Sequence, residues 1–170
     1  VYDENNRSFT EIAYPGAVNT VATSINNAGT VAGYLTWNDV FSQGFEFSGS
    51  SYQLLTPRKS ENIYIWGVTG SGELVGNTGN LDFSFDHGGY RQITIPGNPV
   101  LYGVNEAGSA FVGDGFFYRN NTLQTLRFPG GGLTLAYAVN NAGRVVGLFL
   151  DSNYKQHCFS WTARAGAPTR

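Results

Sequence analysis

The chain has 170 residues and a formal net charge of −2, with 41% hydrophobic, 15% aromatic and only 13% charged residues, and 23 glycines. That length suits one domain, and a composition rich in aromatics and glycine but poor in charge favours strands and tight turns over amphipathic helices. The 10 basic and 12 acidic residues are scattered without runs, which excludes the electrostatic footprint of a nucleic-acid binder. No apolar stretch approaches the ~18 residues of a helical membrane span.

In chain order, Val1-Tyr2-Asp3 reads as a fragment of a strand, followed by an alternating strand from Phe9 to Ile12 that ends at the corner Tyr14-Pro15-Gly16. Then comes a phrase that recurs four times. Ile25-Asn26-Asn27-Ala28-Gly29 leads to Val31-Ala32-Gly33, Val68-Thr69-Gly70-Ser71-Gly72 to Leu74-Val75-Gly76, Val104-Asn105-Glu106-Ala107-Gly108 to Phe111-Val112-Gly113, and Val139-Asn140-Asn141-Ala142-Gly143 to Val145-Val146-Gly147. Asn bonds locally to the backbone and Gly accepts positive φ, so each phrase predicts a tight reversal between two strands. A third strand follows each time, at Phe45-Glu46-Phe47, Phe83-Ser84-Phe85, Phe116-Phe117-Tyr118 and Phe159-Ser160-Trp161. A fourth runs from Tyr52 to Leu55, Tyr90 to Ile95 and Leu123 to Phe128, each before a proline, where a missing N–H costs no ladder bond.

Four strands per unit at this period predict a single all-β domain, 1–170: a four-bladed β-propeller with repeats at approximately 9–50, 51–89, 90–121 and 122–170. A β-sandwich is the alternative. Labelling the strands a to d outward, the chain starts in strand d and ends on strand c, so pairing of the two ends is expected to complete the last blade and leave no open edge. Val1-Tyr2-Asp3 alternatively belongs to an upstream blade of a longer repeat protein. Ser24, Gly67, Gly103 and Ala138 form a row of small residues for a crowded axis, and Thr23, Trp66, Tyr102 and Tyr137 stand one position away. Packing between blades is the role expected of these aromatics. Cys158 is the sole cysteine, which rules out an intrachain disulfide and predicts a buried packing thiol.

The run Phe9-Thr10-Glu11-Ile12 through Pro15-Gly16-Ala17, the phrase Ile25-Asn26-Asn27-Ala28-Gly29, and His157-Cys158-Phe159 as a variant of a His-Ala-Phe triplet together resemble the HAF-type extracellular repeats of bacteria. The resemblance is clearest in the first and fourth copies and weaker in the second. It implies export and a propeller-like fold. It implies no catalytic set. The absence of Met from the chain is expected equally of a mature secreted protein and of a segment cut from a longer one.

The a-to-b turns keep their residues, whereas the opposite face diverges, with connections at Tyr34 to Gln43, Asn77 to Leu81, Asp114, and Leu148 to Gln156. Loops that break repeat symmetry are where binding residues are expected. Trp37, Asn38, Asp39, Arg58, Asn77, Asp114, Tyr154 and Lys155 form the candidate ligand face, because aromatic rings cover the C–H patches of a sugar while Asn, Asp and Arg meet its hydroxyls. The expected partner is a glycan or polysaccharide and the expected function a secreted, extracellular carbohydrate-binding or adhesive module. The alternative is a small polysaccharide hydrolase or lyase using Asp39, Asp114, Asp151, Glu61 and His157 as acid–base groups. No cofactor or metal is expected, since multi-Cys zinc spacing, EF-type loops, nucleotide loops and nucleophile elbows are missing from the sequence.

Overall fold

The structure, a computed structural model, describes residues 1–3, 5–37, 41–55, 62–79, 81–86 and 89–163. Within them the chain is all β, and the repeated units are the blades of a four-bladed propeller. The first blade is the meander β3 (Asn19–Ile25), β4 (Val31–Trp37), β5 (Phe41–Ser48), β6 (Ser51–Leu54), and the second is β7 (Tyr64–Val68), β8 (Leu74–Asn77), β9 (Asp82–Asp86), β10 (Gly89–Gln92). The third is β11 (Leu101–Val104), β12 (Ala110–Gly113), β13 (Phe116–Arg119), β14 (Thr122–Thr125), and the fourth has three strands, β15 (Thr134–Val139), β16 (Arg144–Leu150) and β17 (Gln156–Thr162). All neighbours within a blade pair antiparallel.

The four a-to-b turns form as the sequence predicts. Asn26 Oδ1 accepts the N–H groups of Ala28 and Thr30, Asn105 Oδ1 those of Ser109 and Ala110, and Asn140 Oδ1 that of Arg144, while Thr69 Oγ1 accepts Glu73 N–H. The glycine that closes each turn has positive φ, from 67° at Gly108 to 87° at Gly72.

The second glycine of each phrase answers to a different demand. In every blade the innermost strand carries a β-bulge, and the register places its extra residue at Thr23, Trp66, Tyr102 and Tyr137. The bulge drives a carbonyl of strand a onto strand b. A Cβ at Gly33 would lie 1.9 Å from the Val21 oxygen, at Gly76 2.1 Å from Tyr64, at Gly113 2.0 Å from Val100 and at Gly147 2.0 Å from Leu135. Only glycine fits there, four times over.

Blades pack face to face, and the core lies in the three seams between them. Ala32 of the first blade meets Ile63, Ile65, Val68, Leu74 and Phe83; Val75 of the second meets Ile95, Leu101 and Phe116; Val112 of the third meets Ala136, Val139, Val145 and Phe159. Each seam is also bonded near the axis, by Thr23 Oγ1 to the Ile65 carbonyl at 2.7 Å, Asn26 Nδ2 to the Thr69 carbonyl at 2.9 Å, Gly70 N–H to the Glu106 carbonyl at 2.8 Å and Asn105 Nδ2 to Asn141 Oδ1 at 2.8 Å. The small-residue row lies in this contact: a Cβ at Gly67 would meet Val104 at 2.5 Å, and one at Gly103 the Tyr137 carbonyl oxygen at 2.6 Å.

Three expectations fail. The fourth blade is not completed by the first strand: β1 (Tyr2–Asp3) and β2 (Ser8–Phe9) pair with each other instead, and Phe9 is exposed. Strands a few residues apart close their hairpin at a far smaller loop-entropy cost than ends separated by most of the chain. The expected strand from Phe9 to Ile12 also shrinks to its first residue, and Thr10 to Ile12 run as irregular backbone. Cys158 is exposed rather than buried, because Phe159 takes the core side of β17 and period-2 alternation turns Cys158 to the opposite face.

Candidate functional site

The bulges decide what lines the inner strands. An extra residue breaks the alternation of strand a, re-aims its side chain and sets Trp66, Tyr102 and Tyr137 in line from blade to blade. Trp66 meets Tyr102 edge-on with ring centroids 5.7 Å apart, and Tyr102 meets Tyr137 at 5.7 Å. Two more rings extend the row: Tyr64 stacks on Trp66 at 5.9 Å and 15°, and Tyr34 of the first blade stands edge-on to both. Packing between blades, the role expected from the sequence, is part of what the row does. Its rings are nonetheless only half-buried, and Tyr137 is 46% exposed.

Polar groups flank the row. Asp114 sits at the short b-to-c join of the third blade, its N–H bonded to the Val100 carbonyl at 2.9 Å and its backbone bridged to Leu135. Burial, then the Asp114 carboxylate, then Tyr137 raise the Tyr102 hydroxyl above its ordinary pKa, so Tyr102 remains a neutral donor. The indole N–H of Trp66 is buried with no hydrogen-bond partner among the described residues.

The loop-face candidates scatter. Trp37 ends β4, where its ring is half-buried and meets Tyr14 edge-on at 5.8 Å. Asn77 is buried and donates its amide to the Leu101 carbonyl at 3.2 Å, holding the second blade to the third. Tyr154 and Lys155 are exposed, and Tyr154 adopts φ 60° in the turn after β16. Asn38, Asp39, Arg58 and Glu61 lie outside the described residues. The loops are also shorter than expected. Residues 34–37, 41–43, 148–150 and 156 belong to strands, so the fourth b-to-c connection shrinks to 151–155 and the described part of the first is strand throughout.

In the fourth connection the structure brings two candidates together. His157 Nε2 and Asp151 Oδ2 are 2.9 Å apart, and the His157 ring stacks on Phe149 at 5.1 Å. Asp151 also accepts the Asn153 and Lys155 N–H groups at 2.8 and 2.9 Å. The bond to His157 and then that to Lys155 hold its carboxyl below the usual carboxylate range.

One carboxylate was missed. Asp82, first residue of β9, is 6% exposed and lines a cavity of about 100 Å³ with Ile63, Thr78, Leu81 and Tyr90. Burial pushes its pKa up to about 6, against a bond from the Leu101 backbone that lowers it. The available signal was its place in the repeat, where Gly44, Gly115 and Cys158 stand in the other copies. A charge at such a seam position has to be desolvated.

Four antiparallel meanders packed in series through their inner strands define a β-propeller with an aromatic-lined interior. Solved structures similar to this chain include the selenomethionine-substituted virginiamycin B lyase from Staphylococcus aureus, at 12% sequence identity and a TM-score of 0.42; the match covers 79% of this chain and 53% of that one, about half its length. No family model matches the chain. A search of curated proteins finds no match either.

Proposed function

We propose that the protein is a carbohydrate-binding module, exported from the cell, whose ligand lies along the aromatic row of the inner strands. The row itself carries this reading: Tyr34, Tyr64, Trp66, Tyr102 and Tyr137 are in unbroken ring contact across four blades, yet stay partly open. Aromatic surface with a few directional polar groups suits a ligand with alternating apolar and hydroxyl faces, and Asp114 and the Tyr102 hydroxyl supply such groups here. The resemblance to extracellular HAF-type repeats supports export. The residues that rank first on this reading are the bulge aromatics rather than Trp37 or Asn77.

Tryptophan fluorescence and calorimetry against a panel of plant, algal and bacterial oligosaccharides test it. Saturable binding is expected, weakened at least tenfold in Trp66→Ala and several-fold in the half-exposed Tyr137→Ala, whose melting temperature reports that the fold is intact. Flat titrations across the panel, or binding indifferent to both variants, overturn the proposal.

The Asp151–His157 pair favours a second reading, that of a polysaccharide hydrolase or lyase. A carboxylate that orients an imidazole is the arrangement of a general base. Product release assays on the same polymers, with Asp151→Asn, Asp114→Asn and His157→Gln, decide it, and absence of turnover in the wild type removes it.

A further inference from the structure

The aromatic row carries a charge that the described residues leave unsatisfied. Asp114 is exposed, and its carboxylate makes no hydrogen bond or ion pair among them. Two other carboxylates at the divergent ends of the hairpins are engaged: Asp82 by the Leu101 N–H, and Asp151 by His157 and the Asn153 and Lys155 N–H groups. What fixes Asp114 is its main chain, whose N–H bonds the Val100 carbonyl at 2.9 Å and whose backbone bridges to Leu135. Val100 lies two residues ahead of Tyr102, and Leu135 two ahead of Tyr137. Asp114 is thereby pinned between the starts of two inner strands that each carry a ring of the row.

The carboxylate and the rings favour the same kind of ligand group. The face of an aromatic ring is electron-rich and attracts a cation, and the carboxylate attracts it with a full charge. Burial and then Asp114 raise the Tyr102 hydroxyl above its ordinary pKa, so the field of the carboxylate reaches the row. A uronate or sulfated sugar would set its own negative charge against Asp114. A neutral sugar would use the half-buried rings of Tyr64, Trp66 and Tyr102 and leave the carboxylate to water. A ligand that uses both carries a protonated amine on a ring with apolar faces.

Resting on the carbohydrate reading above, we infer that the ligand is an amino-sugar glycan with its amines free, its pyranose faces on the row and an ammonium group on Asp114. The rings supply sugar affinity in general, and Asp114 selects the charged member of the class.

Calorimetry on the full chain with a β-1,4-linked glucosamine oligomer, its N-acetylated counterpart and the glucose oligomer of the same length tests the inference. These ligands share one backbone and differ only in carrying an amine, an acetamide or a hydroxyl on each ring. In mildly acidic, low-salt buffer, where the amine is protonated, the glucosamine oligomer is expected to bind about tenfold more tightly than the other two. Added salt is expected to narrow that preference, because the contact lies at an exposed carboxylate. Asp114→Asn keeps the main-chain bonds to Val100 and Leu135 and is expected to reduce the preference to about twofold or less, whereas Asp114→Glu, which retains the charge, keeps most of it. Melting temperatures report that both variants are folded. Equal affinity for the three oligomers, a preference that survives Asp114→Asn, or binding confined to neutral or acidic glycans overturns the inference and leaves the carbohydrate reading in place. Flat titrations with these oligomers and the wider panel overturn both.

Discussion

Each a–b hairpin has two ends, and they obey different rules. At the turn end all four copies carry the same device, an Asn or Thr oxygen capping backbone N–H groups and a glycine at positive φ. Toward the other end, beyond the bulge and its facing glycine, the copies part company: Trp37 under Tyr14, Asn77 and Asp82 on Leu101, Asp114 beside Tyr102, and Asp151 on His157. The shared end serves backbone geometry, which is the same problem in each blade. The divergent end is free to vary because a rigid hairpin already holds it.

The sharpest way to break that contrast is Gly113→Ala. Its new methyl would fall 2.0 Å from the Val100 carbonyl oxygen, an atom of the backbone that cannot turn aside. A loss of about 3 kcal/mol or more is expected in urea unfolding, and Gly76 and Gly147 should behave alike, whereas a stability unchanged to within 1 kcal/mol would mean that the bulge relaxes freely.

A step smaller, Asn105→Ala uncaps one turn. Asn105 is buried, and its loss strands the N–H groups of Ser109 and Ala110 and removes the bond to Asn141. About 2 kcal/mol of destabilisation is expected. The same substitution at the exposed Asn140 should cost visibly less in parallel melts.

Asp82→Asn sharpens the comparison from the divergent end. The folded state holds Asp82 at about 6, above its ordinary value of 3.8, so the folded protein binds the proton more tightly than the unfolded chain. The favourable contribution is complete below about pH 4 and is lost as pH rises through 6. Asparagine keeps the acceptor for Leu101 N–H without the charge. The variant is therefore expected to be more stable than wild type at pH 8, on the order of 1–2 kcal/mol, with the advantage disappearing near pH 4. A constant difference across that range in thermal melts would assign Asp82 another role.

The architecture was legible because its signals are local. Asn-x-x-Gly turns, Val-x-Gly phrases and phenylalanine alternation each depend on a few adjacent residues, and four copies reinforce one another. The Asp151–His157 pair was half-legible, since both residues stood out as candidates but only the turn of 151–155 brings their side chains together. The aromatic row was visible as four positions in register, one beside each small residue. That it is set by bulges was not, because a bulge shows only in the pairing of two strands. Asp82 and Cys158 were misjudged or missed for one reason: strand alternation tells which residues share a face, but not which faces find a neighbour.

The sequence by itself determined the strands, the turns and their fourfold repetition, since short-range sterics and hydrogen bonding impose these. Only the tertiary structure decided which seams are filled, that the first strand pairs with its neighbour rather than across the ring, and that three bulge aromatics line up with Tyr34 and Tyr64. Those outcomes depend on long-range contacts weighed against chain entropy, and residues adjacent in sequence carry no record of that balance.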